Sequence, residues 1–204
     1  MEIEGLNIGL SENVYEPAED TLMCIELISE YLDSAGRELR VLDIGTGTGT
    51  LGLFAAKNKR VAEVCFTDIN GEALRLAEQN YERNKKDIDA ECRFLQCDMF
   101  QKIEGRFDLI IFNVPYLRHD SEEEENELSK AWDGEDSGVE ISLRLMAESK
   151  HFLNGNGALI LTASSLSDIE RLEKAIKESD FMMKRHRKKH IFFEDIFAYL
   201  LEAE

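Results

Sequence analysis

Asn113-Val114-Pro115-Tyr116 directly follows the run 107–112, which is apolar except for Asp108. An amide or aromatic amine nitrogen is a poor nucleophile because its lone pair is delocalised. A side-chain amide oxygen and a neighbouring main-chain carbonyl can accept its two N–H bonds. They then hold it in line with an electrophile and stabilise charge as it develops. Asn113 and the carbonyl of Val114 supply that pair. Pro115 stiffens the turn that aims the carbonyl, and Tyr116 offers a flat face for a planar group. The proton can leave after transfer, so no general base is required beforehand. The plain alternative is a turn that merely ends a strand.

A second cluster supplies a ligand site. Val41-Leu42-Asp43-Ile44 runs into Gly45-Thr46-Gly47-Thr48-Gly49. Glycines at such a turn permit unusual backbone angles and close approach of a ligand. The spacing is GxGxG. A dinucleotide fingerprint would need glycine at position 50, where this chain has Thr50, and no Lys-Ser/Thr pair follows to make a phosphate loop. Asp68 ends the next strand, placed to accept hydrogen bonds from both hydroxyls of a ribose. Asp98, followed by Met99, ends the one after. Each aspartate alone could be a helix cap; together, at three successive strand ends, they line one edge of a sheet.

The elements that must position these residues read as an alternation. Strands are expected at 40–44, 62–67, 90–96, 107–112 and 158–162, and helices at 51–58, 71–85, 141–153 and 166–179. Asp68 or Asn70 can cap the 71–85 helix. Asn154-Gly155-Asn156-Gly157 reads as a turn. A helix at 19–32 precedes the alternation, started by Pro17, Glu19 and Asp20. Two more strands are expected within 182–201, joined by a short turn and antiparallel to each other. The expectation is therefore an α/β chain with a Rossmann-like, seven-stranded, mostly parallel sheet, an antiparallel last strand and helices on both faces. It is read as one domain over 1–204, in which 1–37 is an N-terminal helix and its lead-in, 38–165 the core, and 166–204 a closing helix and strand pair.

The glycine turn and three aspartates resemble the class I S-adenosylmethionine-dependent methyltransferases over about residues 38–165. The resemblance implies S-adenosylmethionine as cofactor. Gly45 and Gly47 would pass under its methionine part and Asp43 would contact or order its amino end. Asp68 would hold the ribose, Asp98 would face the adenine amine, and Met99 would lie beside the ring. The turn at 113–116 resembles the (Asn/Asp)-Pro-Pro-Tyr motif of methyltransferases acting on planar nitrogens. Val114 stands for the first proline, but the accepting carbonyl is retained.

Two further segments narrow the resemblance. Val14-Tyr15-Glu16-Pro17-Ala18-Glu19-Asp20-Thr21 resembles the N-terminal signature of HemK-like glutamine methyltransferases of the eukaryotic and archaeal type, which modify the Gly-Gly-Gln tripeptide of class I termination factors. By that resemblance Thr21 contacts the cofactor. Ala131-Trp132-Asp133-Gly134, with Gly138-Val139-Glu140, resembles the same family's substrate-pocket segment, departing from it at Glu135 and Val139. The resemblance implies a peptide chain release factor as substrate. It also implies a small zinc-binding activator protein that covers an apolar sheet edge, for which the strand within 91–95 is the candidate. Nucleic-acid adenine or protein lysine methylation, and a non-catalytic cofactor-binding module, remain open alternatives.

Composition bounds these readings. The chain has 204 residues and a formal charge of −18, so its field opposes a nucleic-acid substrate. No apolar run is long enough to span a membrane, and the acidic N-terminus lacks the pattern of a secretory signal. Cys24, Cys65, Cys92 and Cys97 form no CxxC pair and read as reduced residues of a cytoplasmic protein. The acidic run 120–127 reads as a solvated loop, or else as a lid or docking surface for a basic partner. The basic run 184–189 reads as a solvated turn, or else as a contact for RNA or a partner. His186 and His190 do not read as metal ligands.

Overall fold

A computed structural model describes residues 1–113 and 139–203. A two-stranded hairpin, β1 (Glu2–Ile3) and β2 (Leu6–Asn7), opens the chain. Then come α1 (Glu19–Ser34), β3 (Leu39–Ile44), α2 (Thr50–Ala56), β4 (Val61–Asp68), α3 (Gly71–Asn84), β5 (Glu91–Gln96) and β6 (Phe107–Phe112). The rest is α4 (Val139–Ser149), β7 (Leu153–Ser164), α5 (Ile169–Glu178), β8 (Phe181–Ile191) and β9 (Glu194–Ala203). One seven-stranded sheet has the order β5-β4-β3-β6-β7-β9-β8. β9 runs antiparallel to both neighbours; every other pairing is parallel. The direction of chain progression reverses at β3, so a crevice opens beyond the carboxyl ends of β3 and its flanking strands.

Period-two alternation sends successive side chains to opposite layers. Val41, Leu109, Ile111, Ala158 and Ile160 pack with α1 and α2. Leu42, Ile110, Phe112, Leu159 and Leu161 pack with α4 and α5 on the other face. At the amino edge of the sheet, buried Asp108 is a hub. Its Oδ1 accepts from Arg37 and from Asn154 Nδ2 (2.7 Å), and its Oδ2 from the Arg40 amide (2.8 Å). Tyr31 donates to its carbonyl (2.7 Å). Four elements are tied at one residue.

The structure departs from the sequence reading in four places. The opening hairpin went unread because its strands are two residues long and show no period. It is clamped by side chains of α3: Asn84 Oδ1 accepts from the Asn7 amide and Asn80 Oδ1 from the Gly9 amide, both at 2.8 Å. Asn154 to Gly157 do not form a turn between elements; they lie inside β7, with Asn156 at φ +64° and a register irregularity opposite β6. The helix before them ends at Ser149, short of the expected 153.

The run 184–189 is not a turn but the middle of β8, and the turn falls at Phe192-Phe193. The run hides its strand character because β8 is an edge strand with mostly polar, exposed side chains, a common way of blunting an edge. Its cations pair with acids of this same chain: Arg187 with Glu26 and Glu30, Arg185 with Glu30, Lys189 with Glu19, Lys184 with Glu202, and Lys188 with Asp195. Each exposed pair contributes little, but those with Glu19, Glu26 and Glu30 together join α1 to the sheet edge. His190 bonds Asp195 (2.9 Å), and on a strand His186 lies roughly 13 Å from it, too far to share a metal ion.

Candidate active site

Beyond the carboxyl ends of β3, β4 and β6 lies a cavity of about 340 Å³, within the usual range for a ligand site. Its walls include Thr21, Asp43, Gly45, Gly47, Asp68, Asp98, Met99 and Asn113, so one space gathers the eight described candidates from five separate stretches of chain. Val14, Tyr15 and Pro17, from the segment before α1, cover one side. Val114, Pro115 and Tyr116 lie outside the described residues, as do the acidic run 120–127 and the segment 131–138.

The glycine turn is shaped by two carboxylates. Gly45, Gly47 and Gly49 have φ of +61°, +55° and +82°, the left-handed region that side chains avoid. Asp68 Oδ2 accepts from the Gly47 amide (3.0 Å) and Oδ1 from the Asn70 amide (2.8 Å). Asn70, not Asp68, caps α3, accepting from the Glu72 amide. Asp43 Oδ2 accepts from the Thr46 hydroxyl (2.5 Å) and the Gly52 amide (3.0 Å). A Cβ at Gly52 would come within 2.4 Å of the Phe66 ring, so only glycine lets this amide approach. Burial pushes the Asp43 carboxyl up to about 7, despite those two bonds. Burial also raises Asp68, opposed by its backbone donors. Among the described residues, no cationic side chain pairs with either. Asp98 differs: half-exposed, it lies 3.7 Å from Arg144 of α4 and accepts from Gln101.

Around Asn113 the strand register decides the neighbours. Phe112 opposes Leu161, which sets Asn113 beside Thr162. Asn113 continues the row of Leu109 and Ile111, and Thr162 that of Ala158 and Ile160, so both face α1. Thr162 Oγ1 donates to Asn113 Oδ1 (2.7 Å), and Asn113 Nδ2 donates to Asp20 Oδ2 (2.9 Å). Asp20, in the first turn of α1, is buried and takes the Thr21 amide on Oδ1 (2.7 Å). Sequence reading passed over Asp20 and Thr162 as parts of this site. The available signal was a polar residue one step beyond each apolar row, at 113 and at 162.

A glycine turn with flanking carboxylates, at the switch point of a sheet that closes with an antiparallel strand, defines a Rossmann-like methyltransferase. A solved methyltransferase from Pyrococcus furiosus has the same fold, with TM-score 0.65 and 21% identity over 99% of this chain and 91% of that one. The methyltransferase small domain family model matches residues 23–191, and the chain belongs to that family. It is 32% identical, over 96% of its length and 95% of the relative's, to a Methanocaldococcus jannaschii protein provisionally described as a protein N5-glutamine methyltransferase. It is also 32% identical over 78% of its length to the release factor glutamine methyltransferase of Agrobacterium fabrum, of which it spans 57%.

Proposed function

We propose that this chain methylates the side-chain nitrogen N5 of the glutamine in the Gly-Gly-Gln motif of a class I peptide chain release factor, with S-adenosylmethionine as donor. The observation that carries the reading is the Asn113 amide. It lines the cavity, held between Thr162 and Asp20, and its oxygen can accept an N–H from a planar nitrogen. The names of the archaeal and bacterial relatives support glutamine as the acceptor. The net charge of −18, and a basic strand occupied by internal ion pairs, weigh against a nucleic-acid acceptor.

The cavity's donor set fits the cofactor. S-adenosylmethionine carries a sulfonium and an ammonium, and carboxylates buried without cations suit a cationic ligand where they would repel a dinucleotide's phosphates. Asp68 would take the ribose hydroxyls, Asp98 the adenine amine with Met99 against the ring, and Thr21 and Asp43 the methionine end. When bound, the cofactor supplies an electrophilic methyl group. Asn113, with the Val114 carbonyl, aligns the acceptor nitrogen with it, and the apolar cavity wall limits access of water.

Two partner readings follow from the same assignment. The release factor is the substrate. The outer edge of β5 lacks a strand partner among the described residues and carries half-buried Cys92, Phe94 and Leu95, so it is the proposed seat of a small zinc-binding activator. Co-expression with such a protein from the same source should raise both solubility and activity; a fully active, monodisperse chain on its own would remove that proposal. The four free cysteines, three of them buried, suit the reducing cytoplasm where termination factors work.

The experiment for the main reading incubates the protein with methyl-labelled cofactor and, separately, a release factor, its Gly-Gly-Gln→Gly-Gly-Ala variant, and RNA. Label on glutamine, absent from the variant factor, is the expected result. Label on lysine or on a base overturns the reading.

A further inference from the structure

We propose that Asp20 is a positioning residue that sets which end of the Asn113 amide meets the acceptor nitrogen; the proposal rests on the amide-methylation reading above. The two ends of an asparagine amide are nearly equal in size but opposite in role: oxygen accepts and nitrogen donates. An acceptor nitrogen presents N–H bonds, so only the oxygen can receive it. Something must stop the amide from turning over.

Asp20 supplies that constraint. An ionised carboxylate is acceptor-only, so the contact at 2.9 Å can form only with Asn113 Nδ2 as donor. The reversed amide would set its oxygen against the carboxylate oxygen, a repulsive arrangement beside a buried carboxylate. With nitrogen fixed toward Asp20, the other end faces Thr162, whose hydroxyl donates to Oδ1 at 2.7 Å. A carbonyl oxygen has two lone pairs, so one is left for the acceptor.

Both oxygens of Asp20 meet donors inside the fold. Its side chain is 2% exposed. It sits in the first turn of α1, where the helix dipole favours negative charge, and its Oδ1 takes the Thr21 amide at 2.7 Å and the Thr21 hydroxyl at 3.3 Å. No cationic side chain pairs with it among the described residues. Here one oxygen serves the helix and the other reaches a residue 93 positions away in the sequence.

The test uses the full chain and compares turnover, KM for the release factor, and cofactor affinity. Asp20→Asn should lower turnover about 10- to 100-fold, the usual scale for residues that orient a functional group, with KM and cofactor affinity within about threefold. Two combinations separate positioning from plain structural damage. In an Asn113→Ala background, Asp20→Asn should cost no more than about twofold, because nothing remains to orient. The exchange Asp20→Asn with Asn113→Asp restores one donor facing one acceptor, and should recover at least about tenfold over Asn113→Asp alone, in which two carboxylates face each other. Costs that simply multiply, together with an exchange no better than the single variants, would overturn the proposal. Side-chain amide NMR decides it without any substrate: the Asn113 NH2 should be protected from exchange in the wild type and exposed in Asp20→Asn, and an unchanged signal would refute the role. Should the wild type put no label on glutamine, the acceptor reading fails, while the amide signal still rules on Asp20.

Discussion

The two edges of the sheet treat buried carboxylates in opposite ways. At the amino edge, Asp108 takes Arg37, an asparagine amide and a backbone N–H, so its charge is matched within the protein and four elements are joined. At the carboxyl edge, Asp20, Asp43 and Asp68 take only hydroxyls, amides and backbone donors, with no cation paired to any of them among the described residues. A carboxyl group buried without a cation is costly to ionise, and the gathering of such groups at one edge of the sheet marks where the molecule gives up stability for a ligand that brings positive charge. The amino edge holds the fold together; the carboxyl edge keeps interactions in reserve.

The largest expected effect lies at the amino edge. Asp108→Ala leaves the Arg40 amide and the Asn154 side chain without their acceptor and leaves Arg37 unpaired. Denaturant melts should show a loss of about 3 kcal/mol or more. A loss below about 1 kcal/mol would erase the contrast between the edges.

Next is Asp68→Ala. Removing a charge-assisted pair of ribose contacts should weaken S-adenosylmethionine binding by roughly 1.5–3 kcal/mol, read by calorimetric titration of a variant that still melts cooperatively. Unchanged affinity would sink the ribose assignment.

The smallest effect concerns pH. Burial raises the Asp43 carboxyl to about 7, well above its value near 3.9 in an unfolded chain. The native state therefore holds a proton that the unfolded state has released between about pH 4 and pH 7. The stability linked to this group is fully present below that window and is lost as pH rises through 7. Asp43→Asn removes this dependence, so the stability of the variant relative to wild type should rise from pH 5 to pH 7.5. A flat difference would show that Asp43 is already ionised at low pH. Saturating cofactor, which brings an ammonium, should shrink the difference in the wild type.

How much was readable in advance follows the same division. Asp43, Asp68 and Asp98 announce themselves because each sits at a strand end, and the glycine spacing lies within five consecutive residues. All three line the cavity. Asp20 and Thr162 do not, because their role exists only once α1 packs across the row of Ile111 and Ile160 and strand register brings 113 and 162 together. No local pattern encodes a contact spanning 93 residues. The same limit explains the strand errors. The period-two signal needs one wet and one dry face, and β8 is mostly exposed on both, while the Asn-Gly repeat in β7 signals a turn yet is absorbed as a bulge. The opening hairpin is held by Asn80 and Asn84, more than seventy residues downstream.

The most direct measurement is methyl transfer by Asn113→Ala with cofactor affinity recorded on the same sample. Asn113 separates catalysis from cofactor binding, because it lines the cavity while its side chain bonds Asp20 and Thr162 rather than the glycine turn's carboxylates. Loss of one preorganised polar contact typically lowers rate by about 10²–10³. Transfer to the glutamine of a Gly-Gly-Gln-containing release factor should therefore fall at least that far while cofactor affinity changes by no more than a few fold. Near-normal transfer by the variant, or a parallel collapse of cofactor binding, would contradict the account.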